Sequence, residues 1–240
     1  MDCQFETRKW IKQEDRVNHN LLRLGQLFCD SLVNSTSSVI ELGECLSALE
    51  SGSRPKGGAE EWGIPSIGAE NIERFGVYDY SKEKFVSESW FRKLGRGIVR
   101  SKDVLLYKDG AYTGKVSMAL DGFPHERCAV NEHVFILRVN ETLPSPYLLY
   151  FILSTSEIKT TLFNIASSKA AQPGLNQSEV SQIQIPLPSP NDIKRFHSTT
   201  SPIMHQVASN ALESRVLSFI RDSLLPKLLS GEIDVSTLVL

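Results

Sequence analysis

Lys108-Asp-Gly-Ala-Tyr-Thr-Gly-Lys-Val-Ser117 places two glycines and two lysines within ten residues. As a phosphate-cradling loop it would join a strand to a helix in a parallel α/β sheet. As a plain turn it would join two strands of an antiparallel one. A P-loop needs four residues between its glycines, then Lys and Ser/Thr, so that backbone N–H groups wrap a phosphate and the hydroxyl reaches Mg²⁺. Here only three residues separate Gly110 from Gly114, and Lys115 is followed by Val116, with Ser117 one place late. A loop one residue shorter cannot form the same nest. The turn reading stands, with Gly110 and Gly114 permitting a tight strand-to-strand connection.

The flanks agree with a turn. Val104 to Tyr107, Val130 to Val139 and Ile183 to Ile185 are short β-rich runs separated by Gly, Pro, Asn and Asp. Val134 to Val139 is too apolar for a half-exposed strand and belongs in the core. One helix is predicted over about Pro146 to Thr161, its Leu148, Leu149, Phe151 and Ile152 suited to burial on a sheet. Nothing supplies the alternating crossover helices of a parallel sheet, so residues 37–188 read as a mostly antiparallel α+β domain.

Helices flank this domain. Over about Gln13 to Val33, Val17, Leu21, Leu24, Phe28 and Leu32 recur every three or four positions on one helical face. Polar residues 34–38 end that helix, giving an N-terminal segment of residues 1–36. Ser189-Pro190-Asn191-Asp192 is a helix start, with a capping hydroxyl, proline at the first position and an acid in the first turn. The segment 189–240 should carry a long helix to about Leu225, kinked or restarted at Ser201-Pro202 and ended by Pro226 and Gly231. Ile203, Val207, Leu217 and Leu224 share a heptad seam with Asn210, Ser214 and Arg221, polar residues that can fix the register of a partner helix. The fold class is α+β: a β-rich domain whose two ends feed antiparallel helices in a coiled-coil spacer.

Composition narrows the function classes. The 240 residues are 41% hydrophobic and 22% charged, sufficient for a proper core, and the net charge of −2 argues against a wholly basic nucleic-acid coat. The longest apolar run, Pro146 to Leu153, is far shorter than a membrane span, and the N-terminus lacks a signal-peptide stretch. Cys3, Cys29, Cys45 and Cys128 form no Cys-x-x-Cys pair. Zinc is not expected, and reduced thiols in a cytoplasmic protein are the plain reading.

Enzyme motifs are missing. There is no dinucleotide fingerprint, nucleophile elbow, His-Glu-x-x-His or amino-methyltransferase tetrapeptide. Glu157-Ile-Lys159 matches half of a nuclease metal site but has no partnering Asp, and the five histidines are scattered, with only His197 and His205 placed to share a helix face. No catalytic residue and no metal site is expected.

Binding remains. Between Arg92 and Lys115 seven basic residues (Arg92, Lys93, Arg96, Arg100, Lys102, Lys108, Lys115) face two acids, Asp103 and Asp109. Ser51 to Gly58 and Ser167 to Gly174 add flexible basic loops. Such loops approach phosphates, and Arg, Gln and Asn can read base edges. Any one segment alone is equally an ordinary solvated loop.

Their order carries a resemblance. The series Glu50 to Gly58, Ile64 to Ile72, Val104 to Lys115, Ala129 to Val134, Ala171 to Asn176, Ile185 to Pro188 and Arg221 to Ile233 resembles the specificity subunit of type I restriction–modification systems over nearly the whole chain. That resemblance implies a target recognition domain gripping one half of a bipartite double-stranded DNA site, beside helices that dock methyltransferase (modification) subunits. It implies a non-catalytic chain, with S-adenosylmethionine, ATP and Mg held by partner subunits, including the restriction/translocase subunit. The usual subunit has two recognition domains and this chain has one. It is therefore a natural half-subunit or half of a larger one, and a homodimer is the simplest route to a two-part site. Val207, Leu217 and Leu224, with Ile203 and Asn210, are the candidate dimer contact, and the tail from Arg221 through Lys227 to Glu232 the methyltransferase contact. Because members of the family read different sequences, the shared loops (Arg54, Lys56, Lys108, Tyr112, Lys115, Lys169, Gln172) are expected to shape the domain or hold phosphate. Arg92, Arg96, His125 and Arg127, in the idiosyncratic stretches 73–100 and 121–127, are the expected base readers. The competing readings are an oligomeric adaptor that never touches DNA and a stand-alone nuclease or methyltransferase.

Overall fold

The computed structural model describes residues 2–168 and 174–232. Helix α1 (Asp2–Asn34) leads into strands β1 (Val39–Glu41), β2 (Leu46–Ser51), β3 (Ile64–Ile67), β4 (Ile72–Arg74), β5 (Val77–Tyr78) and β6 (Phe85–Val86). A short helix α2 (Glu88–Phe91) is followed by β7 (Val104–Tyr107), β8 (Val116–Met118), β9 (Ala129–Val130) and β10 (Val134–Val139). Helices α3 (Pro146–Ser154), α4 (Ser156–Ser167) and α5 (Gln177–Ser181), strand β11 (Gln184–Pro186) and the long helix α6 (Pro190–Leu229) complete the chain.

The central sheet has the order β2-β10-β7-β8, antiparallel throughout. Residues 134–137 of β10 are fully buried, as their apolar run demanded, and sit between two layers of core. A smaller sheet, β6-β3-β9, contains one parallel pair, Ser66↔Ala129 and Ile67↔Val130. The predicted single run 130–139 is two strands. Buried Asn131 breaks it by donating its backbone N–H to the Ile67 carbonyl and accepting the His133 N–H on its side chain.

The predicted helix 146–161 is likewise two. Thr155 ends α3 and caps α4, its Oγ1 accepting the Ile158 N–H at 3.4 Å. A hydroxyl that can satisfy orphan amides starts a new helix where the chain must turn.

First and last strands of the domain pair with each other, β1 with β11, in the register Val39↔Pro186. The domain therefore closes on itself, and α1 and α6 leave from adjacent points. They pack along one another. Asn18 bonds Asn210, and four residues earlier on α1 Glu14 bonds Ser214, four residues later on α6; the helices are antiparallel. Helix α6 is continuous through Pro202 and through Pro226, and ends at Leu229. Each proline forfeits one intrahelical N–H, and packing of residues 193–211 holds the rest.

Two expectations about helix faces are corrected. On α1 the most buried residues are Asn18, Leu22, Gly25 and Cys29; of the apolar stripe, Leu21 and Leu32 are half-buried against the core, while Val17, Leu24 and Phe28 are exposed. The packed face lies about 100°, one residue, around the helix from the apolar stripe. Small residues explain it: a Cβ on Gly25 would lie 2.3 Å from Cζ of Phe151, so glycine is what lets α1 settle on α3. On α6, Val207 is fully buried against Asn18 and Gly76 of its own chain, so it is not free for a second copy. Asn210 does fix a helix register, but that of α1.

Candidate nucleic-acid interface

Three loops that are distant in sequence meet at one end of the central sheet. Arg54, after β2, pairs with Glu132 at 3.2 Å. His133 Nε2 lies 3.3 Å from the same carboxylate, and its Nδ1 lies 2.8 Å from Asp109. Asp109 in turn holds Lys108 Nζ at 2.9 Å, over the Phe135 ring. The chain after the 167–174 segment is tied in as well, since Leu175 donates its N–H to the Lys108 carbonyl at 2.8 Å. Gly52 makes the approach possible, for a Cβ there would fall 1.6 Å from the Val130 carbonyl oxygen. Lys108 and Arg54 are thus neutralised within the domain and shape its loops. Lys56 is exposed, and among the described residues it has no ion-pair partner. Lys169 and Gln172 lie outside the described residues.

The 108–117 segment is the strand-to-strand turn. It links antiparallel β7 and β8, with Gly110 at φ 66° and Gly114 at φ 91°. Lys115 Nζ sits 4.3 Å from the Tyr112 ring centroid and 2.9 Å from Glu73, and both Lys115 and Tyr112 open toward α1.

Among the expected base readers, Arg92 and Arg127 converge. Both bond Glu88, Arg92 Nε at 2.8 Å and Arg127 Nη2 at 2.9 Å, and the Arg127 guanidinium lies over the Phe91 ring. Bonds from Arg127 and then Arg92 hold the Glu88 carboxyl below the usual carboxylate range. Arg96 is exposed in a shallow hollow with Ser53, Trp90 and Lys93, where the 92–97 segment touches the Gly52 loop. Trp62, 79% exposed beside β3, was not singled out by sequence; its only signal is a large aromatic in a glycine-rich loop. His125 is corrected. It is turned inward onto Glu83, edge-on to Tyr78 and Tyr80, with Arg215 of α6 3.5 Å away. It fastens the domain to α6 and presents no edge to a groove.

The helix histidines do share a face, around buried Tyr147: His197 stacks on its ring at 4.8 Å and His205 Nε2 lies 3.2 Å from its hydroxyl. Among the described residues no group of three or more His, Cys, Asp or Glu side chains could hold a metal, and no helix is long and apolar enough to cross a membrane. Along α6, Ile203 and Leu217 are half-buried and Leu224 is exposed. Arg221 pairs with Asp222, and Lys227 lies 3.6 Å from Glu232.

A two-layered β-rich domain closed by its own end strands, carrying converging basic loops and an antiparallel helix pair, is the form of a DNA specificity domain of type I restriction–modification systems. The chain belongs to that family: residues 37–214 match the type I restriction modification DNA specificity domain. It is 36% identical over 100 residues to the type I restriction enzyme HindI specificity subunit of Haemophilus influenzae, an alignment spanning 40% of this chain and 22% of that one. It is 25% identical over 154 residues to the MjaIX specificity subunit of Methanocaldococcus jannaschii, spanning 64% and 34%. In fold it is similar to the type I S subunit from M. genitalium (TM-score 0.60, 15% identity, 95% of this chain and 59% of that chain). It is also similar to the HsdS subunit from Thermoanaerobacter tengcongensis (TM-score 0.51, 17% identity, 96% and 56%). The chain thus spans little more than half of these solved subunits.

Proposed function

We propose that this chain is a DNA-reading half-subunit of a type I restriction–modification complex. Its recognition domain binds one half of a bipartite double-stranded site, and a second copy binds the other half. Methyltransferase subunits dock on the helices near Arg221 and Lys227. The chain itself performs no chemistry. S-adenosylmethionine, ATP and Mg belong to the partner methyltransferase and restriction/translocase subunits, and the assembly works in the cytoplasm. The observation that carries this reading is the convergence of the Arg54, Lys108 and Glu132–His133 loops, three of the motif segments, on one end of the central sheet.

Within that surface the ion pairs Arg54–Glu132 and Lys108–Asp109, the second half-buried, set loop shape. The exposed cations Lys56, Arg92, Arg96 and Arg127 meet DNA, with Arg92, Arg96 and Arg127 reading bases. The homodimer uses the outward stripe of α1, where Val17, Leu24 and Phe28 are exposed. A second copy is the occupant argued for because one copy spans 55–59% of the solved subunits of this fold. The test is a shift of mixed-sequence duplex DNA at several salt concentrations, by the chain alone and with its methyltransferase partner. Salt-dependent binding in either state supports the reading. A chain that binds no duplex in either state is the adaptor of the competing reading, and one that cleaves DNA with Mg²⁺ is the nuclease.

A further inference from the structure

A cleft of about 490 Å³ opens where α1 crosses the recognition domain. Its wall on α1 carries His19 and Arg23, one turn apart and so on one face. Opposite stand Arg74 at the end of β4, Lys115 from the β7–β8 turn and Lys159 from α4, with Leu22, Val116 and Tyr150 beneath. Among the described residues the one carboxylate in the lining is Glu73, already paired with Lys115. Four cations and a histidine therefore line a single concave site, Lys115 paired with Glu73 and Arg74 with Asp15, in a chain whose net charge is −2.

Two features mark the site as unsatisfied. Arg74 gives one guanidinium nitrogen to Asp15, but its Nη1 is buried and has no hydrogen-bond partner among the described residues. A buried donor left unpaired is uncommon in a folded protein and asks for an acceptor. Arg23 and Lys159 are exposed and make no ion pair among the described residues. Like charges converge in such a place where an anion offsets their repulsion. The planar fork of exposed Arg23 suits a bidentate oxyanion, and half-exposed Tyr112 stands at the rim.

We propose that this cleft is a phosphate-binding site formed jointly by α1 and the recognition domain, and that the phosphate it takes belongs to the backbone of the bound duplex. The inference rests on the DNA-binding reading and extends it. The helix is then part of the grip as well as a spacer, and its seating on the domain is coupled to DNA. The same oxyanion chemistry could come from a free phosphate, so the test has two arms.

Arg23→Gln and Lys159→Gln are combined in the full chain; both side chains are exposed, and unchanged circular dichroism and melting establish that the fold survives. The first arm measures affinity for mixed-sequence duplex DNA against salt. Removing two phosphate contacts should lower the slope of log K against log salt by about two, for all sequences alike. The second arm measures the melting shift given by pyrophosphate, with Arg23→Glu as a further variant. A lowered DNA slope supports the proposal. A pyrophosphate shift lost in the variants beside an unchanged DNA slope keeps an anion site but overturns its assignment to DNA. If neither measurement distinguishes variant from wild type, the cleft binds no phosphate and the proposal is wrong, while DNA binding through Arg92, Arg96 and Arg127 stands untouched. Absence of any DNA binding by wild-type chain, with and without its methyltransferase partner, would instead sink the broader reading.

Discussion

Asn210 of α6 donates a side-chain N–H to the Oδ1 of Asn18 on α1 at 2.8 Å, across 192 positions of sequence. Asn18 is buried, and its own Nδ2 donates to the Val207 carbonyl at 3.4 Å. The pair pins one helix against the other at a single register, since a slide by one turn leaves both amides unmatched in an apolar seam. Asn18→Ala should destabilise the chain by roughly 1–3 kcal/mol, because it strands the Asn210 amide as well as removing two bonds. A double-mutant cycle with Asn210→Ala in urea unfolding should return a coupling of about 0.5–1.5 kcal/mol. Strict additivity would mean that the two helices do not dock in this register.

Gly25 tests the same interface sterically. Its absent side chain leaves room for the Phe151 ring, with hypothetical Cβ contacts of 2.3 and 2.9 Å. Alanine favours a helix, so an exposed Gly25→Ala would stabilise by about 1 kcal/mol. Here overpacking should win and cost roughly 1–3 kcal/mol. Phe151→Leu, which shortens the opposing side chain, should make Gly25→Ala less harmful than it is in the wild-type background. A higher melting temperature for Gly25→Ala alone would show that α1 stands farther from α3.

The buried thiols give a pH prediction. Desolvation, with Asp30 and Asp103 as respective lesser causes, pushes Cys29 and Cys128 each up to about 12. In the unfolded chain both ionise near 8.5. Between those values the native state keeps protons that the unfolded state has lost, so stability falls as pH rises from about 8.5 toward 12, by about 1.4 kcal/mol per pH unit for each thiol. Urea midpoints at pH 8 and 10 should diverge less in Cys128→Ala than in wild type. An equal divergence would place that thiol in contact with water.

Much of this architecture is legible in the sequence, and the illegible parts share a cause. The β7–β8 turn could be read because Gly110 and Gly114 fail a spacing rule, and the core place of β10 because an uninterrupted apolar run has nowhere else to go. The face by which α1 packs could not, because hydrophobic periodicity weighs large side chains, whereas Asn18, Gly25 and Cys29 pack by being small or by bonding. For the same reason Val207 reads as an open seam residue when its seam is filled within the chain. In the site, charge alone cannot separate a cation that awaits a ligand from one already paired. Lys108 and Arg54 look identical in sequence to Arg96, and only the fold brings Asp109 and Glu132 to them. His125 looks like a groove reader until Glu83 and Arg215 enclose it.

The outward stripe of α1 predicts an assembly. Val17, Leu24 and Phe28 are each at least 40% exposed, with Trp10 in line with them. Val17→Glu with Leu24→Glu should convert a sedimenting dimer to a monomer with little change in the monomer's melting temperature, since both side chains are exposed. A wild-type chain that sediments as a monomer at every concentration tested contradicts the homodimer.

Glu88 separates reading from holding. It pairs with both Arg92 and Arg127, so on free protein it masks two cations that DNA must recruit. Glu88→Gln removes that competition and one negative charge. Affinity for all duplexes should rise and the salt slope steepen, because more cation is free to displace counterions. Arg96→Ala or Arg127→Ala should then relax preference at one base position at about 1–3 kcal/mol, as loss of a bidentate base contact does. Lys115→Ala should weaken binding to every sequence equally and lower the salt slope by about one. Selection of bound sites from a random duplex pool distinguishes the two effects. A changed preferred sequence for Lys115→Ala, with none for Arg96→Ala or Arg127→Ala, would reverse the assignment: bases would then be read from the cleft beside α1, and the Glu88 surface would serve only to hold phosphate.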